Sequence, residues 1–267
     1  MKITHSKAFI TGSAQGIGRE IALELARNNC SLVLCDIVED ELLATAEECR
    51  AIGVDVDAFT LDVTDAAAVA KCAEKISDVD ILINNAGTVH GGGFLETPMK
   101  SHIHTSRVNF EGLMAVTHAV LPSLLIRPQA MIVNIASAAG FAGLPFGTSY
   151  AATKWAVLGF GESLRLELKE QGHDHIGLLH VCPSYVKGDL FRGVGRIGLA
   201  GVIDPRVLAR RIVTGIQRNR RWLRIPWLVA VTPIIMAVFP RPITDRILRF
   251  LGVTTSMVKW QGRQETS

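Results

Sequence analysis

Eight residues near the start of the chain, Thr11-Gly12-Ser13-Ala14-Gln15-Gly16-Ile17-Gly18, constrain its fold more than any other feature. A short apolar run, Ala8-Phe9-Ile10, precedes them. A segment with helical spacing, residues 16–28, follows, with Ile21, Ala22 and Leu25 on one side. Strand, glycine turn and helix in that order bring a helix N-terminus, with free N–H groups and a positive dipole end, beside a backbone bare of side chains. Gly12 permits a tight turn, Gly16 lets the backbone approach a pyrophosphate, and Gly18 lets the helix pack close on the strand. A glycine trio alone is often just a turn; its place between a strand and a helix makes it a dinucleotide signal.

The rest of the chain keeps the same alternation. Strands are expected at residues 32–35, 58–63, 81–83, 131–135, 176–181 and 222–225. Helices are expected at 39–51, at 65–76 with Asp65 as cap, from a Thr97 cap and Pro98 to about Leu121, at 150–169, and from Asp204-Pro205 to about Asn219. Short apolar strands without period-2 alternation predict a sheet buried on both faces. Alternation with helices predicts right-handed parallel crossovers. The fold class is therefore α/β, a doubly wound, mostly parallel sheet with helices on both faces and ligands beyond the carboxyl ends of the strands. The 267 residues, 48% of them hydrophobic, suffice for one core, and no linker or internal repeat divides them. Residues 1–225, with a substrate loop at 188–203, are expected to form the domain, and 226–267 an apolar and basic extension.

The second strand ends at Asp36, eighteen residues after Gly18. A carboxylate there can accept hydrogen bonds from an adenosine ribose and repels a 2′-phosphate, which favours NAD over NADP. No Arg or Lys stands at Ser13, Ala14, Ile37 or Val38, where such a phosphate would want one. The bland alternative is an Asp that caps the next helix.

Further motifs follow in order: Asn84-Asn85-Ala86-Gly87 after the fourth strand, Asn109 in the long helix, Ser137 after the fifth strand, and Tyr150-Ala151-Ala152-Thr153-Lys154. With the glycine turn they make the chain resemble the single-domain short-chain dehydrogenases/reductases from about Lys7 to Ile225. The resemblance implies a Rossmann-type fold, a nicotinamide cofactor, and Asn109, Ser137, Tyr150 and Lys154 as the catalytic set. It also implies cofactor contacts from Gly12, Ser13, Gln15, Gly16, Ile17, Gly18, Asp36, Asp62, Val63, Asn85, Ala86, Gly87, Tyr150, Lys154, Pro183 and Val186. By that likeness Asn109 anchors a water in a proton relay behind Lys154. The chain departs from the family's P-G-x-V-x-T, with Ser184 in place of the Gly and Gly188 in place of the Thr that holds the carboxamide. The resemblance further implies a homodimer or homotetramer.

The chemistry also follows from residue types. Tyr150 and Lys154, four apart on a helix, share a face. A free tyrosine has a pKa of roughly 10. A neighbouring ammonium and a cationic nicotinamide would lower it and let Tyr150 exchange a proton with an alcohol as hydride moves. Ser137 would donate to the substrate oxygen, and Lys154 would hold the nicotinamide ribose.

Composition excludes other classes. Cys30, Cys35, Cys49, Cys72 and Cys182 form no Cys-x-x-Cys pair and no Cys/His cluster, so no metal site is expected. Five scattered cysteines behind a short polar N-terminus point to a reducing, cytoplasmic location. Charge is uneven: residues 206–263 carry twelve Lys/Arg and one acid, or +11, which leaves −8 on the rest of a chain of net +3. Apolar runs interrupt the basic stretch, which argues against a nucleic-acid partner. Residues 225–239 lack any charge, yet as a helix they would reach about 22 Å, short of a hydrocarbon core of roughly 30 Å. Pro226 and Pro233 are expected to break the run. Residues 243–251 read as an amphipathic helix. The extension thus either makes peripheral contact at the inner face of a membrane or packs over the substrate pocket or a partner subunit. The glycine-rich 188–201 loop, with Leu190, Phe191, Val194, Ile197 and Leu199, reads as an apolar lid and points to a hydrophobic substrate.

The function expected is NAD(H)-dependent interconversion of a secondary alcohol and a ketone on a small hydrophobic, steroid- or lipid-like substrate. Two alternatives stand beside it: a non-catalytic NAD-binding sensor or membrane-associated scaffold, and an NADP(H)-dependent carbonyl reductase.

Overall fold

Successive residues of the first strand point to opposite sides, and both sides are buried: Ala8 and Ile10 face one hydrophobic layer, Phe9 the other. This is why the strands read as apolar runs. The computed structural model describes residues 1–76, 78–194, 201–258 and 260–262. Within them are seven strands, β1 (Lys7–Thr11), β2 (Ser31–Asp36), β3 (Val56–Thr60), β4 (Ile81–Asn84), β5 (Ala130–Ile135), β6 (Ile176–Pro183) and β7 (Trp222–Ile225). They form one sheet in the order β3-β2-β1-β4-β5-β6-β7, with every pair parallel. The chain belongs to the doubly wound α/β class, and the strand order reverses between β1 and β4, where a crevice opens.

Helices α1 (Gly16–Ala26), α2 (Glu39–Ile52) and α7 (Pro205–Gln217) cover one face through Ile21, Leu25, Leu42, Leu208 and Ile212. Helices α3 (Ala66–Ala73), α5 (Gly112–Leu125) and α6 (Thr148–Glu170) cover the other through Val69, Val116, Val120 and Leu168. Asp65 caps α3 by accepting from the N–H groups of Ala67 and Ala68, and Asp204 caps α7 by accepting from Arg206 N–H. Two further helices, α8 (Trp227–Val238) and α9 (Arg241–Phe250), lie beyond β7.

Several boundaries differ from expectation. β3 ends at Thr60, opposite Asp36, and not at Val63. There the Asp62 carboxylate accepts from the N–H and hydroxyl of Thr64 and turns the chain out of the sheet. Thr97 is not a helix cap: its N–H donates to Gly93 carbonyl, and Pro98, extended at ψ 138°, precedes α4 (Met99–Ser106). α4 and α5 run on through one π-helical segment, Arg107–Glu111. Among the described residues only this 99–125 run is long and apolar enough to cross a membrane, but its inner side packs on the sheet. Pro233 does not break α8; it is carried inside the helix, while Pro226 stands just before it. Of the loop residues singled out above, Ile197 and Leu199 lie outside the described residues.

Candidate active site

One cavity of about 670 Å³ runs along the carboxyl ends of the strands. At its head is the glycine turn. Gly12 has φ +68°, and a Cβ there would lie 2.8 Å from Ala86 Cα, so only glycine lets β1 and β4 come this close. Gly16, φ +59°, faces open space in the cavity. No side chain caps the N-terminus of α1 behind it, so that helix end is left for an anion. Asn85 locks the turn: its amide donates to the carbonyls of Thr11 (3.0 Å) and Gly12 (2.8 Å), while Thr11 hydroxyl accepts from the N–H groups of Asn85 and Ala86. Gly18 packs against Gly12 and does not line the cavity.

Ser13, expected as a cofactor contact, does not line the cavity. It is fully buried, because its N–H and hydroxyl both donate to Cys35 carbonyl. Asp36 lines the cavity, and its carboxylate accepts from Ala14 N–H (2.9 Å) and Val38 N–H (3.2 Å). It is thus presented beside the glycine turn, with Ile37 as neighbour and, among the described residues, no Lys or Arg within 4.0 Å. Asp62, Val63, Asn85, Ala86, Gly87, Pro183 and Val186 line the same cavity, together with Gln15 and Ile17.

Midway along, the ends of β5 and α6 bring Ser137, Tyr150 and Lys154 together, all buried. Lys154 Nζ donates to Ile135 carbonyl at 2.8 Å and lies 5.5 Å from the centre of the Tyr150 ring. Burial pushes the Tyr150 phenol above its usual range, opposed by a hydrogen bond with Ser137. Burial also pulls Lys154 down to about 8. From the Tyr-x-x-x-Lys spacing alone, the ammonium is expected to lower Tyr150. In the protein alone desolvation is the larger effect on both groups, and each is pressed toward its neutral form.

Asn109 sits in the π-helical segment, the kind of irregularity often found at functional sites. It does not line the cavity. Its amide accepts from Thr88 N–H (2.7 Å) and donates to Thr88 carbonyl (2.9 Å) and Thr153 hydroxyl (3.1 Å). It therefore clamps the segment after Gly87 to the Tyr150–Lys154 turn of α6.

The far end of the cavity is apolar, and much of its wall comes from the C-terminal extension. Leu228, Val229, Leu248, Leu251, Val253 and Trp260 line it beside Tyr185 and Phe191. Trp260 Nε1 donates to Leu190 carbonyl at 3.0 Å, and Tyr185 hydroxyl bonds Ser256 at 2.9 Å. Phe191 packs edge-on against both Tyr150 and Tyr185. His90 and His104 add polar groups to the wall. Tyr185, Trp260 and both histidines carry no motif that marks them as lining residues. An aromatic residue two places after Pro183 is a usable signal for Tyr185; nothing local announces the others.

Gly188, φ +155°, opens the loop in place of the expected Thr. Val186 pairs with Ile203 in an isolated parallel bridge that ties down its two ends. Among the described residues no cluster of His, Cys, Asp or Glu could hold a metal.

A family model described as short chain dehydrogenase matches residues 6–196. The chain belongs to the short-chain dehydrogenase/reductase family. It is an oxidoreductase of the alcohol–carbonyl type that works with a nicotinamide cofactor. Estradiol 17-beta-dehydrogenase 11 of Rattus norvegicus is 31% identical over 249 residues, 92% of this chain and 83% of that protein. Among solved structures, a short-chain dehydrogenase/reductase from Burkholderia phymatum in complex with NAD is 26% identical, with TM-score 0.80, over 87% of this chain and 93% of that one. A short-chain dehydrogenase from Sphingobium yanoikuyae in complex with NADPH is 29% identical, with TM-score 0.77, over 98% of each chain. The family member's cofactor is thus a nicotinamide, with NAD and NADP both represented among its relatives.

Proposed function

We propose that this enzyme interconverts a secondary alcohol and a ketone on a hydrophobic, steroid- or lipid-like substrate, with NAD(H) as cofactor and Tyr150 as general acid/base. The observation that carries the reading is the single cavity, with Asp36 at one end, Ser137, Tyr150 and Lys154 in the middle, and an apolar chamber at the other. The uncapped N-terminus of α1 and the open space at Gly16 fit a pyrophosphate, and Asp36 fits a ribose diol. Among the described residues no Lys or Arg lies within 4.0 Å of Asp36 to receive a 2′-phosphate. The steroid-like class is supported by the apolar chamber and by the named activity of the rat relative.

A nicotinamide held at the glycine turn and Asp36 would supply or receive the hydride. Ser137 donates a hydrogen bond to the substrate oxygen and holds it within reach of Tyr150. In reduction the Tyr150 phenol, kept protonated by burial, gives its proton to that oxygen; in oxidation the phenolate takes it back. Lys154, pulled down to about 8 by burial, would as an ammonium stabilise that phenolate, and it is the residue that would hold the nicotinamide ribose. Asn109 acts through Thr88 and Thr153 by holding the two walls in register.

The test is turnover by the purified protein, followed by nicotinamide absorbance, on steroid, long-chain and small secondary alcohols and ketones with each cofactor. NAD-linked turnover of an apolar substrate is expected. Tyr150→Phe should lower it by roughly 10²–10⁴ while NADH binding persists. NADPH-linked turnover would overturn the cofactor reading. Full activity in the variant would overturn the mechanism, and NADH binding with no turnover on any substrate would favour the sensor reading.

A further inference from the structure

The outward side of α8 is as apolar as its inward side. Leu228, Val229 and Thr232 face the cavity. Trp227, Ile234 and Val238 face outward and are 70%, 61% and 67% exposed. With Val231 they lie at i, i+4, i+7 and i+11, one line on a helix of 3.6-residue period. No charged residue occurs from 225 to 239. A helix apolar all round is one that something covers on its second side.

The neighbouring helix shows what the cover is. α9 turns Thr244, Leu248 and the following Leu251 inward and sets Arg246 and Arg249 outward, with Ile243 and Phe250 on one flank. Arg241, Arg246 and Arg249 lie within 4.0 Å of no carboxylate among the described residues. Unpaired arginines beside an apolar stripe match anionic headgroups over hydrocarbon. A second copy related by a twofold axis would bring the same two helices, which carry three arginines and one acid, Asp245, and so too few carboxylates to match them.

We propose that α8 and α9 rest this protein on an anionic lipid surface, and that apolar substrate passes from that surface between them into the cavity. This rests on the proposed function, since Leu228 of α8 and Leu248 of α9 line the chamber assigned to substrate. Docking on the outer faces of the pair would open the chamber toward the lipid in which such a substrate dissolves.

The test is flotation of the full chain with phosphatidylcholine vesicles, with and without phosphatidylserine. Binding to the anionic vesicles is expected, weaker at high salt. Arg246→Ala with Arg249→Ala should weaken it about 25-fold, at roughly five-fold per arginine. Ile234→Glu with Val238→Glu should abolish it, and NADH binding then confirms that the fold is intact. Should that pair not fold, Phe250→Glu, on the exposed end of α9, replaces it and should weaken binding. Light scattering checks for self-association. No flotation of the unaltered protein, or a dimer that Ile234→Glu with Val238→Glu dissolves, overturns the proposal. Flotation without turnover would leave the lipid surface standing and refute the proposed substrate and cofactor alone. For the passage, substrate embedded in vesicles should be turned over more slowly by the Ile234/Val238 variant than by the unaltered protein, while substrate in detergent is turned over equally. Equal rates on both overturn it.

Discussion

Replacing Asp36 with asparagine removes one negative charge and almost no volume. In the protein the carboxylate has two backbone partners, Ala14 N–H at 2.9 Å and Val38 N–H at 3.2 Å. Asparagine keeps one carbonyl acceptor and turns its NH₂ toward the other N–H, so one bond weakens and one is lost. Bonds to a charged acceptor are worth about 1.5–3 kcal/mol and neutral ones about 0.5–1.5. The residue is half-buried, so solvent repays part of the loss, and a destabilisation of about 1–2 kcal/mol is expected. At about 2–4 °C per kcal/mol for a domain of this size, Tm should fall by several degrees. The cofactor effect is separate. A ribose diol loses a charged acceptor, at a cost of about 1.4 kcal/mol or tenfold in NADH affinity. A 2′-phosphate loses a repelling charge, so NADPH affinity should hold or rise. Thermal unfolding together with fluorescence titration of both nucleotides reads both effects. A fall in Tm with the NADH-to-NADPH affinity ratio unchanged would show that Asp36 only caps the turn, and the cofactor argument would be refuted.

Three other perturbations test other parts of the molecule. A Cβ at Gly161 would lie 2.2 Å from Cε1 of buried His180, so Gly161→Ala should cost about 1–3 kcal/mol and lower Tm without changing NADH affinity. Trp260→Ala removes a bond to Leu190 carbonyl and part of the apolar chamber; KM for large substrates should rise while NADH affinity stays, and an unchanged KM would remove the extension from substrate binding. Burial, helped by Arg165, Arg221 and Arg224 and opposed by Glu162 at 3.6 Å, holds His180 down to about 4, below its ordinary 6.5. The unfolded chain then binds the proton more tightly, so this contribution to stability is whole above pH 6.5 and is lost as pH falls toward 4, by up to about 3 kcal/mol. Unfolding midpoints of His180→Leu should therefore vary less over that range than those of the unaltered protein.

Local rules settled a good deal of this structure in advance. The carboxylates of Asp65 and Asp204 reach N–H groups two or three residues on, whatever packs around them. Tyr150 and Lys154 share a helix face because helical geometry requires it. Gly12 and Gly16 hold the positive φ that their turn demands. Burial on both faces made the strands legible as apolar runs and with them the parallel sheet. What the sequence could not decide depends on distant partners. Ser13 is next in the chain to a cavity-lining glycine, yet the carbonyl of Cys35, from another strand, turns it inward. Asn109 is spent on Thr88 and Thr153, residues 21 and 44 positions away. The acidity of Tyr150 is decided by desolvation, which belongs to the whole packed interior and not to the Tyr-x-x-x-Lys spacing. The extension carries helical and charge signals of its own, but that Trp260 meets Leu190 and α8 walls the chamber follows only when some two hundred residues of sheet and helix bring them there. Hydrogen bonds between neighbours along the chain form wherever the chain goes; long-range contacts and burial exist only once it has folded.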